Sequence, residues 1–419
     1  MLILGKILRV IIAFVITVVA ICGAYVIYLN ASSPRISDND ENIVSGRYVD
    51  ASTGVGGQVV SDGSDGTPVP KGALIPSAMA TGKAYRALTW NIGYGANDSG
   101  FSFFMSEGKT VTGDSTRGLM SHAESEKDVK AGIKSVTKLL EKRDPDIALF
   151  QEVDKDAGRS FHYNEYEAIA GAFAENRHNA DISVMDAYAT NFHTGWLLYP
   201  PTSPIGKVGD SGLLTVSRYM MDGAVRRSLP VDGSFPAKFF DLDRCFTVTR
   251  IPVGSGADAD DTGQGSGDTG EPKGELVVIN VHLSTYDAGL KMRSEQMKVL
   301  AGAMKQEYEK GNWVIAGGDW SQCFKGSKVA FKGRMEVPKW AKGMSEGALP
   351  DGFAVVGAGN ADIVATCRDT SIPWTAGIGY ETITDGWIVS DNISATAENI
   401  DTEYKHTAHN PVALTFTLK

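Results

Sequence analysis

Short apolar runs bounded by turn residues recur along the chain: Arg86–Trp90, Ile147–Gln151, Trp196–Tyr199, Leu213–Ser217, Leu276–Val281, Trp313–Ala316 and Gly386–Val389. Runs of this length between Gly, Pro, Asn and Asp read as strands. The closing PVALTFTLK alternates apolar and polar positions like a last strand. Helical spacing appears at Glu126–Lys142, where Val129, Ile133, Val136, Leu139 and Leu140 share one face, and again at Leu290–Lys310. Many strands with few helices, interleaved over one long stretch, predict a two-layered β core flanked by helices.

One apolar run differs in kind. Val10–Leu29 holds no charged residue. At about 1.5 Å per residue it can cross a hydrocarbon core of roughly 30 Å. Lys6 and Arg9 precede it, whereas Arg35, Asp38, Asp40 and Glu41 follow. Positive residues favour the cytoplasmic side, which predicts a short inner tail (1–9), a transmembrane anchor (10–29) and the rest of the chain outside the cell membrane. Tyr25 and Tyr28 fall near the outer interface. A cleaved signal is the competing reading, but the run is long for one and LNASS is a poor small-residue exit. Residues 30–83, rich in Gly, Ser, Asp and Pro, read as a flexible tether, so the folded domain is expected over 84–419. Residues 254–274 read as a disordered acidic loop joining two paired strands.

Composition narrows the chemistry. The 419 residues carry a formal net charge of −10, which argues against a protein whose affinity comes from the nucleic-acid backbone. Cys22, Cys245, Cys323 and Cys367 form no CxxC pair and no zinc spacing. Whether Cys323 and Cys367 pair is left open by the sequence.

Polar residues gather at the ends of the apolar runs. LTWNIGYG ends one on Asn91, and DIALFQEVD ends one on Gln151 and Glu152. LVVINVHLSTYD places Asn280 and His282, WVIAGGDWSQ places Asp319, TDGWIVSDN places Asp385, and YKHTAHNPV places His406 and His409. Carboxylates, an amide and histidines in that setting suit a hard divalent cation and a phosphate. Taken singly each motif is weak: GGD can be a plain turn and Asn91 a turn residue.

In this order the motifs resemble the endonuclease/exonuclease/phosphatase superfamily. The resemblance implies an α/β (α+β) four-layer α/β/β/α sandwich of two packed, mainly antiparallel sheets behind the membrane helix. It implies a phosphoesterase that hydrolyses a phosphodiester or monoester by in-line water attack with Mg²⁺ or Mn²⁺. By resemblance Glu152 and Asn91 bind the metal and Asp319 orients water and reaches the metal. His282 donates to phosphoryl oxygen, and Asp385 fixes His409. Two positions depart from the pattern: Ser321 replaces an asparagine, and Ala408 replaces an acidic residue beside the terminal histidine. These departures motivate a second expectation, a catalytically weakened or dead binding module of the same fold. An extracellular nuclease is a third, disfavoured by charge. His162, Asn191 and Arg218 are candidate substrate contacts, with Arg159, Tyr163, Tyr188 and His193 nearby in sequence. The expected partner is a phosphorylated small molecule or a phospholipid head group, with the membrane engaged through the N-terminal helix.

Overall fold

The computed structural model describes residues 2–38, 41–49, 56–59, 78–175, 183–254, 274–285, 291–324, 327 and 330–419. Two large sheets form its centre. The first has eight strands in the order Ile393–Asn399, Val412–Leu418, Ala84–Asn91, Ile147–Ala157, Gly206–Ser217, Ser183–Leu197, Val44–Val49 and Gly56–Val59. The second runs Gly223–Ser228, Cys245–Gly254, Gly274–His282, Trp313–Asp319, Asp385–Ser390 and Phe353–Val356, with Met79–Ala80 added beside Cys245–Gly254. Most pairs are antiparallel; Ala84–Asn91 with Ile147–Ala157, Gly274–His282 with Trp313–Asp319, and Met79–Ala80 with Cys245–Gly254 are parallel.

The alternation of each strand assigns its residues to layers. Tyr85, Ala87, Ile147 and Leu149 meet Ile251, Leu276, Val278, Ile315 and Trp387 between the sheets. The intervening Leu88, Trp90, Ala148 and Phe150 face outward against α2 (Glu126–Arg143) and α3 (Glu165–Glu175). On the other side Val277, Ile279, Val281 and Val314 pack on Met297, Leu300 and Met304 of α4 (Lys291–Glu309). The result is the expected four-layer α/β/β/α sandwich. Burial on both faces explains why the strands read as continuous apolar runs rather than as alternation. α2 starts where Ser125 caps the amide of Asp128 and ends at the left-handed Asp144.

The membrane-length run forms α1 (Leu2–Ser32). Its Leu4–Ser32 portion has mean hydropathy 2.9 and is long and apolar enough to cross a membrane. Part of the expected tether is laid on the domain instead. Arg35 pairs with Asp243 at 2.7 Å, and the Ile43 amide donates to Ala224 O at 2.9 Å. Val44–Val49 joins the first sheet antiparallel to Ser183–Leu197, and Met79 and Ala80 pair with Val253 and Gly254 ahead of Lys83. Apart from the Arg35–Asp243 pair, the backbone supplies these contacts, so a polar, Gly-rich composition did not betray them. The remaining tether residues 50–55 and 60–77, and residues 255–273 of the acidic loop, lie outside the described residues. The flanking strands do pair as a hairpin, with Phe246 opposite Val281. All four cysteines are free, which settles the Cys323–Cys367 question. Arg226 is buried and donates to Thr190 O and Ser37 O.

Candidate active site

Strand register builds the site. His282 stands opposite Asp319, and Asp319 opposite Asp385, across three neighbouring strands of the second sheet. Asn91 stands opposite Gln151 at the same end of the first sheet. The approach of strands here demands glycine. A Cβ on Gly318, whose φ is 151°, would collide with Val281 O, and one on Gly317 would collide with the Trp387 ring. Glu152 sits on a bulge between Phe150 and Val153 and takes a φ of 57°. That left-handed kink turns its carboxylate out of the strand and over the site. Beneath it, buried Gln151 donates to Asn280 at 2.7 Å, and Asn280 donates to Leu214 O at 3.0 Å, tying the two sheets together.

Asn91 Nδ2 lies 3.1 Å from both Glu152 Oε1 and Asp319 Oδ2. His282 Nε2 is 3.6 Å from each of the same two carboxylates. His409 places Nδ1 2.9 Å from Asp385 and Nε2 3.8 Å from Asp319. The Ser321 amide donates to Asp319 Oδ1 at 2.8 Å, which orients that carboxylate. The Ser321 hydroxyl is committed to Leu283 O at 2.9 Å.

Charge follows from burial. Desolvation raises the Glu152 carboxyl above its usual value, opposed by His409 and Asn91 and reinforced by Asp319. Burial, with nearby Arg244 and His409, holds His282 well below the usual histidine range, so its imidazole is neutral. His409 goes the other way: burial disfavours its charge, but Asp385, Cys367 and Asp319 lift it well above the usual range. Burial pushes Asp385 up to about 6 against the pull of His409.

Of these groups Glu152, Asp319, Ser321 and His409, together with Ala408, help to line a cavity of about 630 Å³. Two crowded carboxylates beside an amide are an oxygen-rich donor set, and their mutual repulsion favours a cation between them. Glu152 and Asp319 therefore fit a divalent metal, whereas Asn91 turns Nδ2 towards both carboxylates and its Oδ1 accepts from the Gly93 amide at 3.0 Å, so here it positions the carboxylates. Asp319, Asp385 and His409 also bring ligand-type atoms within 4.8 Å of one another. Asp385, however, is spent on His409 and does not line the cavity.

On the cavity wall, the sequence pointed to Arg159 and missed Arg244. Arg244 is buried, reaches Asp241 only at 3.5 Å, and leaves Nε and Nη1 without a hydrogen bond. Arg159 stacks on Tyr94, its guanidinium carbon 3.3 Å from the ring centre, and binds Asp154 at 3.0 Å. Both line the cavity. Arg159 lies near His162 in sequence, whereas nothing in DLDRCF distinguishes Arg244. The expected substrate contacts lie elsewhere. His162 is exposed and bonded to Asp156. Arg218 is buried against Asp144, where its amide bonds Asp146 O near the start of the Ile147 strand, opposite the site. Asn191 is buried and not on the cavity wall, although its neighbour Phe192 is. Trp320 is core, donating to Gly386 O at 3.0 Å.

A model of the Endonuclease/Exonuclease/phosphatase family matches residues 88–320. No curated protein matches the chain. Among solved structures, an endonuclease/exonuclease/phosphatase from Beutenbergia cavernae is 15% identical, covering 80% of this chain and 72% of its own at a TM-score of 0.45. TDP2 from Caenorhabditis elegans is 13% identical over 80% of this chain and 75% of that one, TM-score 0.45. A family protein from Leptotrichia buccalis is 10% identical over 80% and 100%, TM-score 0.46.

Proposed function

The chain belongs to the endonuclease/exonuclease/phosphatase family, and on that basis we propose that it is a divalent-metal-dependent phosphoesterase held outside the cytoplasm by α1. The observation that carries this reading is the convergence of Asn91, Glu152, His282, Asp319 and His409 from both sheets, with Glu152, Asp319 and His409 opening onto one cavity. Mg²⁺ or Mn²⁺ held by Glu152 and Asp319, the carboxylates that Asn91 positions, would neutralise phosphoryl charge and ease departure of the leaving oxygen. The chain's own residues supply the rest. Asp319, oriented by the Ser321 amide, accepts a proton from the attacking water. Neutral His282 donates to a phosphoryl oxygen. His409, held as the cation by Asp385, donates from Nε2 to the phosphate or to the departing oxygen. Arg244, with donors to spare, suits the substrate's remaining negative charge.

Ala408 supports a second reading. It lines the cavity and offers neither ligand nor charge, which fits a weakened or inactive binding module. One experiment separates the two. The full-length protein in detergent is assayed on a generic phosphodiester and a monoester with Mg²⁺, Mn²⁺ or a chelator. Metal-dependent turnover supports the phosphoesterase; metal binding without turnover supports the binding module.

A further inference from the structure

The exit of α1 is bonded to the catalytic domain, and the level at which this happens sets where the domain sits. Tyr25 Oη donates to Trp196 O at 2.9 Å and accepts from the Leu198 amide at 2.8 Å. Tyr28 Oη accepts from the Trp196 amide at 2.9 Å. Any side chain on Gly195 would collide with Ser32 and Tyr28, so the strand end is shaped to receive the helix. If Val10–Leu29 fills the hydrocarbon, Tyr25 lies four residues short of its outer end, about 6 Å below it. The backbone of Trp196–Leu198 is at that depth.

The side chains there suit such a place. Trp196 is 56% exposed, Leu198 58% and Phe235 65%, with Tyr199 also exposed. Lys238, in the Phe235 loop, reaches Asn30 at the end of the helix. Aromatic rings at interface depth with a lysine just above are the composition of a lipid-water boundary. The same region backs the cavity. Phe104, Phe192, Ile205 and Leu242 line it and form one apolar cluster with Leu29 and Tyr25 of the helix.

We propose that this face is a membrane-docking surface. Trp196, Leu198, Tyr199 and Phe235 enter the outer leaflet beside α1, and the aromatic wall of the cavity receives a phospholipid whose phosphate meets Arg244 and the Glu152–Asp319 centre. The assignment rests on reading the site as a phosphoesterase and α1 as a membrane span.

The full-length protein is reconstituted into phosphatidylcholine–phosphatidylglycerol vesicles carrying lipid brominated on the upper acyl chain. Of the seven tryptophans Trp196 alone is exposed, so bromine quenching should fall to about half or less in Trp196→Phe. Quenching that survives the substitution overturns the docking surface. In parallel, Mg²⁺-supported hydrolysis of vesicle phospholipid and of soluble bis(p-nitrophenyl) phosphate is compared in wild type and in Trp196→Ser/Leu198→Ser/Phe235→Ser. The variant should lose about tenfold or more on vesicles, equivalent to about 1.4 kcal/mol, and keep the soluble reaction. An unchanged vesicle rate, or wild-type hydrolysis confined to the soluble diester, overturns the lipid assignment. A wild type that hydrolyses neither ester while Trp196 is quenched upholds the docking surface and refutes the phosphoesterase reading.

Discussion

Ala408 lines the same cavity as Glu152, Asp319 and His409, so the side chain at 408 governs how much negative charge a bound cation meets. An aspartate there would add a hard oxygen ligand, worth on the order of 1–3 kcal/mol. Ala408→Asp should tighten Mg²⁺ binding about tenfold or more in calorimetric titration. Equal affinities would mean that position 408 does not act on the metal. At this scale the sequence was informative where polar residues end apolar strands: Asn91, Glu152, His282, Asp319, Asp385 and His409 do meet. It failed where chemistry comes from loops. His162 and Arg218, expected as substrate contacts, serve Asp156 and Asp144, whereas Arg244 reaches the cavity from a segment with no distinguishing motif. Spacing along the chain carries no information about which loop folds over a pocket.

The elements that carry the site are held by tight packing and a few buried polar contacts. Gly318→Ala should destabilise the domain by about 2 kcal/mol or more, because the added methyl meets the Val281 carbonyl and φ is unfavourable. Urea denaturation followed by tryptophan fluorescence checks this; an unchanged midpoint would contradict it. Arg250 joins its own strand to Glu275 at 2.7 Å and to Glu307 of α4 at 2.8 Å. Despite partial burial, hydrogen bonds from Arg250 and Lys310 lower the Glu307 carboxyl from its usual 4.5 to about 2. Because the folded value is depressed, this stabilisation is complete above pH of about 4.5 and disappears as pH falls towards 2. Glu307→Gln should therefore cost about 1–3 kcal/mol at neutral pH, the gap to wild type closing in acid, as denaturation across pH would record. The elements legible in the sequence were the doubly buried strands and the long helices α2 and α4, whose observed limits, Glu126–Arg143 and Lys291–Glu309, nearly match the periodicity. The short α3 and the Val44–Val49 strand were not legible. α3 reads AIAGAFA without a clear polar face, and Val44–Val49 is held by backbone pairing.

At the scale of the whole molecule, a net charge of −10 weighs against the nuclease reading. Nucleic acid binds by releasing counterions to a basic surface, and this chain lacks the excess to do so. Duplex DNA should not be retained in a gel-shift experiment at physiological salt; salt-sensitive retention would restore the nuclease reading. The central claim is that a divalent cation on Glu152 and Asp319 drives ester hydrolysis. Glu152→Gln keeps the shape of the side chain and removes its charge. Its most direct test is the rate of phosphodiester hydrolysis by full-length wild type and Glu152→Gln as Mg²⁺ is added back after chelation. The wild type should be inactive in chelator and recover with Mg²⁺, while Glu152→Gln should stay at least about a hundredfold slower; hydrolysis that persists in chelator, or a variant as fast as wild type, would contradict the account.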